Sequence, residues 1–276
     1  MLHRHCIIRI LSLCFLAAGI GLAACSDNDV PPIKPTLPAT NGSAVRSIRH
    51  VGNMPMTYDW LFRYAAGRLT NAQGTRRTAD AAPDGEFSYS VRLAYNTWAV
   101  VPTLGNGTRL QVKLNSRGYV ESLAENEDTY EFWYENDMLT RWKRTDVETS
   151  YGGTQEYVTE GQITYSNGDL KKIVYTGVDK QPVVYTFTAT QEANTSGLLP
   201  VGAERALGCL GIEYLYYAGL MGRATTHLVQ SMTAYDNATE SVTERFTYSY
   251  SRRGSNVELC NYTAKDGSIG SVYYEY

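Results

Sequence analysis

Groups that do chemistry are scarce in this chain. It has four histidines and five cysteines in 276 residues, and His3, His5, Cys6, Cys14 and Cys25 all fall in its first tenth. His50, His227, Cys209 and Cys260 remain, far apart and in no ligand-like spacing, so a zinc site or a Cys–His nucleophile has no support. Gly-x-Ser-x-Gly, His-Glu-x-x-His, a Walker loop and a dinucleotide fingerprint are all missing. No catalytic residue, metal ligand or cofactor is therefore assigned. Charge of one sign is lacking too: 25 Lys and Arg stand against 28 Asp and Glu, with no basic block. Nucleic acid is not an expected partner. Phenylalanine is sparse, six against 22 tyrosines. Tyrosine is enriched in strands and keeps its hydroxyl hydrated on a half-wet surface, so the composition predicts much sheet surface and little dry core.

The one long apolar run is Ile10 to Leu22, after the basic start His3, Arg4, His5 and Arg9. It is too short to span a bilayer as a helix and reads as a signal-peptide core. Leu22-Ala23-Ala24-Cys25 closes it, and small residues followed by Cys resemble the lipobox of bacterial lipoproteins. That resemblance implies cleavage before Cys25 and acylation of its thiol, with the outer membrane as partner through the acyl chains. Ser26-Asp27-Asn28-Asp29 resembles the Ser-plus-acidic signal that sends Bacteroidetes lipoproteins to the cell surface; a periplasm-facing protein is the alternative. Pro31, Pro32, Pro35 and Pro38 follow, and prolines this dense form a semi-rigid extended spacer. The chain thus divides into a leader (1–24), a lipidated Cys with a proline-rich linker (25–44) and one β-rich domain (45–276). An oxidising compartment permits a Cys209–Cys260 disulfide; two buried thiols are the other reading.

Alternation organises the chain from Arg46 onward. Tyr130, Phe132 and Tyr134 point to one side of a strand, Glu131, Trp133 and Glu135 to the other. Asn136-Asp137 turns, and Leu139 to Arg144 returns. Gln162 to Tyr165, Asn167-Gly168 and Leu170 to Tyr175 repeat the pattern, and Asn-Gly is a strong hairpin signal because both residues accept positive φ. Val112 to Leu123, Phe246 to Tyr262 and Ile269 to Tyr276 continue it. Adjacent hairpins imply an up-and-down antiparallel sheet. Pairing Tyr165 with Leu170 puts Ile163, Tyr165, Leu170 and Val174 on one side, with Thr164, Lys171, Ile173 and Tyr175 on the other. Neither side is uniformly apolar. A strongly curved sheet with a filled concave face is therefore expected. Leu198 to Gly222 supplies the filling, an apolar helical insert despite Gly208, Gly211 and Gly219.

Hairpins of the type Tyr-x-x-Gly-x-Leu, the string Tyr216-Tyr217-Ala218-Gly219-Leu220-Met221-Gly222-Arg223 and the Tyr-rich hairpins after it resemble a group of Bacteroidetes lipoproteins. That group is known only as a domain of unknown function with a porin-like fold. The resemblance covers most of the chain after the linker, most strongly from Leu110 on. It implies a half-open barrel wrapped around an inner helix and brings no catalytic residue or ligand. Porin-like describes shape here, since the strands lack the lipid-facing band of a transmembrane barrel.

Three function classes follow. A surface binding protein would hold a glycan, peptide or small lipophile. Pairing Tyr134 with Leu139 places Glu131, Trp133 and Trp142 on one face, an aromatic pair beside a carboxylate able to stack on a sugar, unless both indoles pack on the inner helix. A scaffold lipoprotein would work through its sheet edges and protein contacts. A glycan-active enzyme would need two carboxylates about 5 to 10 Å apart; the acids Glu125, Glu127 and Asp128 read better as a solvated turn. The expectation is a non-enzyme.

Overall fold

The computed structural model describes residues 44–52, 57–77, 88–96, 99–150 and 153–276. The leader, Cys25, Ser26–Asp29, the prolines of the linker and Trp98 lie outside the described residues. From the amino end run β1 (Ser47–Val51), β2 (Thr57–Ala65), β3 (Arg68–Arg77), β4 (Ser88–Tyr95) and β5 (Val100–Leu104). Then come β6 (Gln111–Leu114), β7 (Val120–Glu125), β8 (Asp128–Glu135), β9 (Met138–Ser150), β10 (Gly153–Ser166), β11 (Asp169–Thr176) and β12 (Pro182–Ala193). One short helix, α1 (Glu213–Tyr217), precedes β13 (His227–Asp236), β14 (Ser241–Arg253), β15 (Asn256–Ala264) and β16 (Ile269–Glu275).

All sixteen strands form one antiparallel sheet, ordered 5-4-3-2-1-16-15-14-13-12-11-10-9-8-7-6. The first and last strands pair in register, Ser47 with Glu275 through Val51 with Ser271. The two sheet edges, β5 and β6, meet only where they leave their shared turn. There a single Thr103–Arg109 bridge forms and Leu110 N donates to Pro102 O at 3.0 Å. The result is a nearly closed up-and-down barrel with one unsealed seam.

Local chemistry sets the hairpins. Ala66-Gly67, Asn136-Asp137 and Asn167-Gly168 all have positive φ at both positions, the conformation that suits the twist of two-residue hairpins. Beside each turn the ladder slips by one residue, at Arg63/Tyr64, Trp133/Tyr134 and Thr164/Tyr165. The tyrosine after each slip turns inward. Tyr64 Oη donates to Val45 O at 3.0 Å and Tyr134 Oη to Val120 O at 2.8 Å. Tyr248 and Tyr250 likewise bond Val201 O and Val229 O. The expectation that tyrosines signal a thin core is thus corrected. These four rings help fill the barrel, and their hydroxyls are satisfied by backbone carbonyls.

These turns gather at one end of the barrel, which we call the turn end. The chain leaves β12 there, enters the lumen and returns to β13. Residues Leu198 to Val201, Ala203, Ala206, Leu207, Cys209, Tyr214 to Ala218, Leu220 and Met221 are all buried in this plug. The filling was expected; its form is different. Only Glu213–Tyr217 is helical, because Gly202, Gly208, Gly211, Gly219 and Gly222 take φ between 70° and 85° and end each turn before a helix can grow. The plug bonds the wall at Val120 N to Leu220 O (2.8 Å), Arg223 N to Asp137 O (2.7 Å) and Thr226 N to Gly168 O (2.9 Å).

Candidate functional site

The expected aromatic pair does not form. Tyr134 pairs with Leu139 as anticipated, but the slip at Trp133/Tyr134 sets Trp142 opposite Phe132 and Trp133 opposite Arg141. Trp142 faces the lumen, 2% exposed, and its Nε1 donates to Ala206 O of the plug at 2.9 Å. Trp133 faces outward, 40% exposed, with the Arg141 guanidinium 4.8 Å from its ring centre. Glu131 shares that outer face and lies 3.7 Å from Lys143. The two indoles sit on opposite sides of the wall and cannot stack on one ligand.

Other sequence candidates have structural partners. Glu125 and Glu127 are exposed at the β7–β8 turn, and Asp128 accepts from Val147 N at 3.0 Å. His227 holds Asp169 through its backbone N–H and its Nδ1, both at 3.0 Å. Cys209 and Cys260 are free and buried, so no disulfide forms between them. Burial pushes the Cys209 thiol well up and the Cys260 thiol to about 12, which leaves both unreactive. Among the described residues no group of three His, Cys, Asp or Glu is placed to hold a metal ion.

What the structure adds is a groove of about 620 Å³ over β1 to β4. Ladder pairing builds it in two rows. Ser47 pairs with Leu61, Leu61 with Gln73 and Gln73 with Ser90, which sets these four outward side by side. Asp59 pairs with Thr75 in the next row, near Arg49. β1 and β2 share only two ladder pairs, Ser47–Leu61 and Ile48–Trp60, before they part. Through that parting the inward residues Ile48 and Trp60 reach the groove floor. Asp59 bridges the gap: His50 N donates to its Oδ1 at 2.8 Å, His50 Nδ1 lies 3.2 Å away and Arg77 Nε donates to Oδ2 at 2.5 Å. Burial alone would raise the Asp59 pKa, but the hydrogen bonds from His50 and Arg77 outweigh it and hold the carboxyl below its usual range. Arg49 stacks over Tyr273, its guanidinium 4.6 Å from the ring centre. The groove thus offers an ionised carboxylate, a guanidinium, an amide and hydroxyls beside the exposed Leu61. No alternation signal marked it, because its residues gather from four strands.

A second polar cluster lies inside the wall. A small cavity of about 20 Å³ is lined by His50, Thr57, Tyr58 and Trp60 of the wall and by Glu204, Glu213 and Tyr217 of the plug. Both glutamates are buried. Desolvation raises the Glu204 carboxyl and pushes the Glu213 carboxyl well above its usual range, so both are held toward the neutral form. Two acids inside an otherwise apolar run were the legible sign of this cluster.

An up-and-down barrel of sixteen strands filled by its own chain defines a porin-like class of β-protein. The chain belongs to the family described as a domain of unknown function with porin-like fold (DUF4595), which matches residues 62–257. Among solved structures it is similar to a porin-like protein from Bacteroides uniformis ATCC 8492, with 22% identity and a TM-score of 0.63 over 87% of this chain and 99% of that one. A porin-like protein from Bacteroides vulgatus ATCC 8482 aligns with 10% identity and a TM-score of 0.47 over 85% and 99% of the two chains. No curated protein matches.

Proposed function

We propose that this protein is a lipid-tethered binding module of the bacterial outer membrane whose β1–β4 groove takes a glycan, and that it is neither a pore nor an enzyme. The observation that carries the reading is the groove itself. It is ligand-sized, and its Arg49, Asp59, Gln73, Thr75 and Ser90 converge on one concavity. Alternating hydroxyl, amide and carboxylate groups match the alternating donors and acceptors of a sugar, and the Leu61 side chain suits its C–H face. The plug supports a binding role over conduction, since it fills the lumen with side chains. The outer face supports a water-facing barrel: Ser241, Thr243, Arg245, Thr247, Ser249, Ser251 and Arg253 are the exposed residues of β14, where a membrane barrel would carry an apolar band. The Leu22–Cys25 string supports the tether, and Ser26–Asp29 supports surface display.

A glycan array probed with the purified β-domain tests the groove. Retention on a defined glycan is expected, with loss of about tenfold or more in the Gln73→Ala, Thr75→Ala variant, whose side chains face solvent and leave the fold intact. An array that retains nothing, or retention unchanged in the variant, overturns the assignment.

A further inference from the structure

Charge is spread unevenly along this chain, although its net value is only −3. Residues 44–110 hold eight arginines and no lysine against four acids, of which Asp80, Asp84 and Glu86 lie outside the described residues. Residues 111–276 hold 14 Lys and Arg against 22 Asp and Glu. No basic block shows in the sequence because the fold gathers the arginines one per strand. Arg49 of β1, Arg63 of β2, Arg77 of β3 and Arg92 of β4 are all exposed. Arg63 follows the buried Phe62 and Arg92 stands between the buried Val91 and Leu93, so both face outward. The ladder sets Arg63 opposite Asn71 and Asn71 opposite Arg92, one row beyond Leu61, Gln73 and Ser90 of the groove. Arg49 and Arg77 stand at its other side, by Asp59. Arg63 and Asp59 are four residues apart on one strand, about 13 Å. The polar floor is thus framed by a pair of guanidiniums at each rim.

Acids do not balance this frame. Asp59 is taken up by His50 and Arg77, and Glu275 stands beside Ser47 across the β1–β16 ladder. Of the four arginines, Arg77 alone is ion-paired among the described residues. We propose, resting on the glycan reading above, that the groove takes an acidic glycan. Its uronate carboxylates or sulfate esters bind the rim guanidiniums while its hydroxyls meet Gln73, Thr75 and Ser90. The planar fork of arginine pairs with both anions through two parallel hydrogen bonds, and it gives up water more readily than an ammonium does. A concavity rimmed by one sign of charge also focuses its field on the incoming anion. A neutral sugar would use the floor and leave Arg49, Arg63 and Arg92 idle. Single-stranded nucleic acid fits less well, because its bases need open rings to stack on, and Arg49 lies over the face of Tyr273.

The test is retention of the β-domain on an array of neutral, uronate-bearing and sulfated glycans, with immobilised oligothymidylate as a second kind of polyanion. Retention is expected on acidic members, the array deciding between carboxylate and sulfate. It should weaken about tenfold or more when the same glycan is carboxyl-methylated or desulfated, and again in the Arg63→Gln, Arg92→Gln variant. It should also fall as salt is raised. Arg245→Gln, on the outer face of β14, should bind as the wild type does. Arg49→Gln serves if the double variant does not fold. Retention of neutral glycans only, or of the neutralised glycan at full strength, overturns the acidic class and leaves the glycan reading standing. Undiminished retention of an acidic glycan in the folded variant overturns the role of the rim. An array that retains nothing overturns both readings. Oligothymidylate held as well as the best glycan makes the face an unselective anion surface and overturns the proposal.

Discussion

Trp142 ties wall to plug, and its truncation measures how far the plug is part of the fold. Its ring lies between two glycines. A Cβ at Gly161 of β10 would come within 2.2 Å of Trp142 Nε1, and one at Gly208 of the plug within 2.3 Å of Cδ2. Trp142→Ala therefore opens a void bounded by backbone on both sides, which has little freedom to collapse. Burial of this size costs about 3–5 kcal/mol on truncation. The Ala206 carbonyl also loses its indole donor, at about 1–3 kcal/mol if water cannot reach it. Trp133→Ala removes an exposed ring and one cation–π contact, for about 1 kcal/mol at most. Urea unfolding should be followed by far-UV circular dichroism, because each variant deletes a fluorophore. The expected result is a midpoint lowered strongly for Trp142→Ala and little for Trp133→Ala, with an unchanged denaturant slope. Equal losses in the two variants, or a loss below about 1.5 kcal/mol for Trp142→Ala, would refute the plug as a structural part of the barrel.

Other outcomes follow from the same coordinates. Leu215 is fully buried in α1, so Leu215→Asp should cost several kcal/mol or prevent folding, and wild-type melting in that variant would contradict the packing. Gly208→Ala should destabilise by more than about 1 kcal/mol, since φ is 70° and the new methyl meets Trp142; an unchanged urea midpoint would refute this. Glu213 has a folded pKa raised well above its unfolded value, so its contribution is fully present below pH about 4.5 and is lost as pH rises toward the folded value. Glu213→Gln should flatten that decline, seen as Tm against pH from 4 to 8; identical profiles would refute it. Cys25→Ala should abolish labelling by a palmitate analogue, and labelling that persists would remove the lipid tether.

Much of the architecture was legible in the sequence because hairpins are local. The pairs Tyr134–Leu139 and Tyr165–Leu170 were both readable from turn chemistry. The faces were not. Period-two counting assumes no extra residue, and each of these hairpins inserts one beside its turn, which reverses every side chain beyond it. With the slip at Thr164/Tyr165 included, Ile163 and Ile173 pair with each other and both point inward, so the mixed faces resolve into a clean core. Trp133 and Trp142 were misassigned to one face by the same arithmetic. The burial of Leu198 to Gly222 was readable from its loss of alternation, whereas its turn-by-turn path depends on wall contacts separated by tens of residues. The groove was illegible for a related reason: its rows run across strands, and no stretch of sequence contains them.

The pairing of β1 with β16 has a consequence for biogenesis. Ser47 meets Glu275, so the wall cannot close until nearly the whole chain has been delivered. A chain synthesised amino end first presents β1 with one open edge while fourteen further strands arrive. Contacts of such sequence separation form slowly, and unpaired edges are sticky in the interval. The plug arrives after β12 and before the last four strands, so β13 to β16 complete the wall around a lumen segment already made. Closure late in synthesis leaves the growing sheet with an open edge until the end, and a truncation of only the seven residues of β16 would remove the strand that joins β1 to β15.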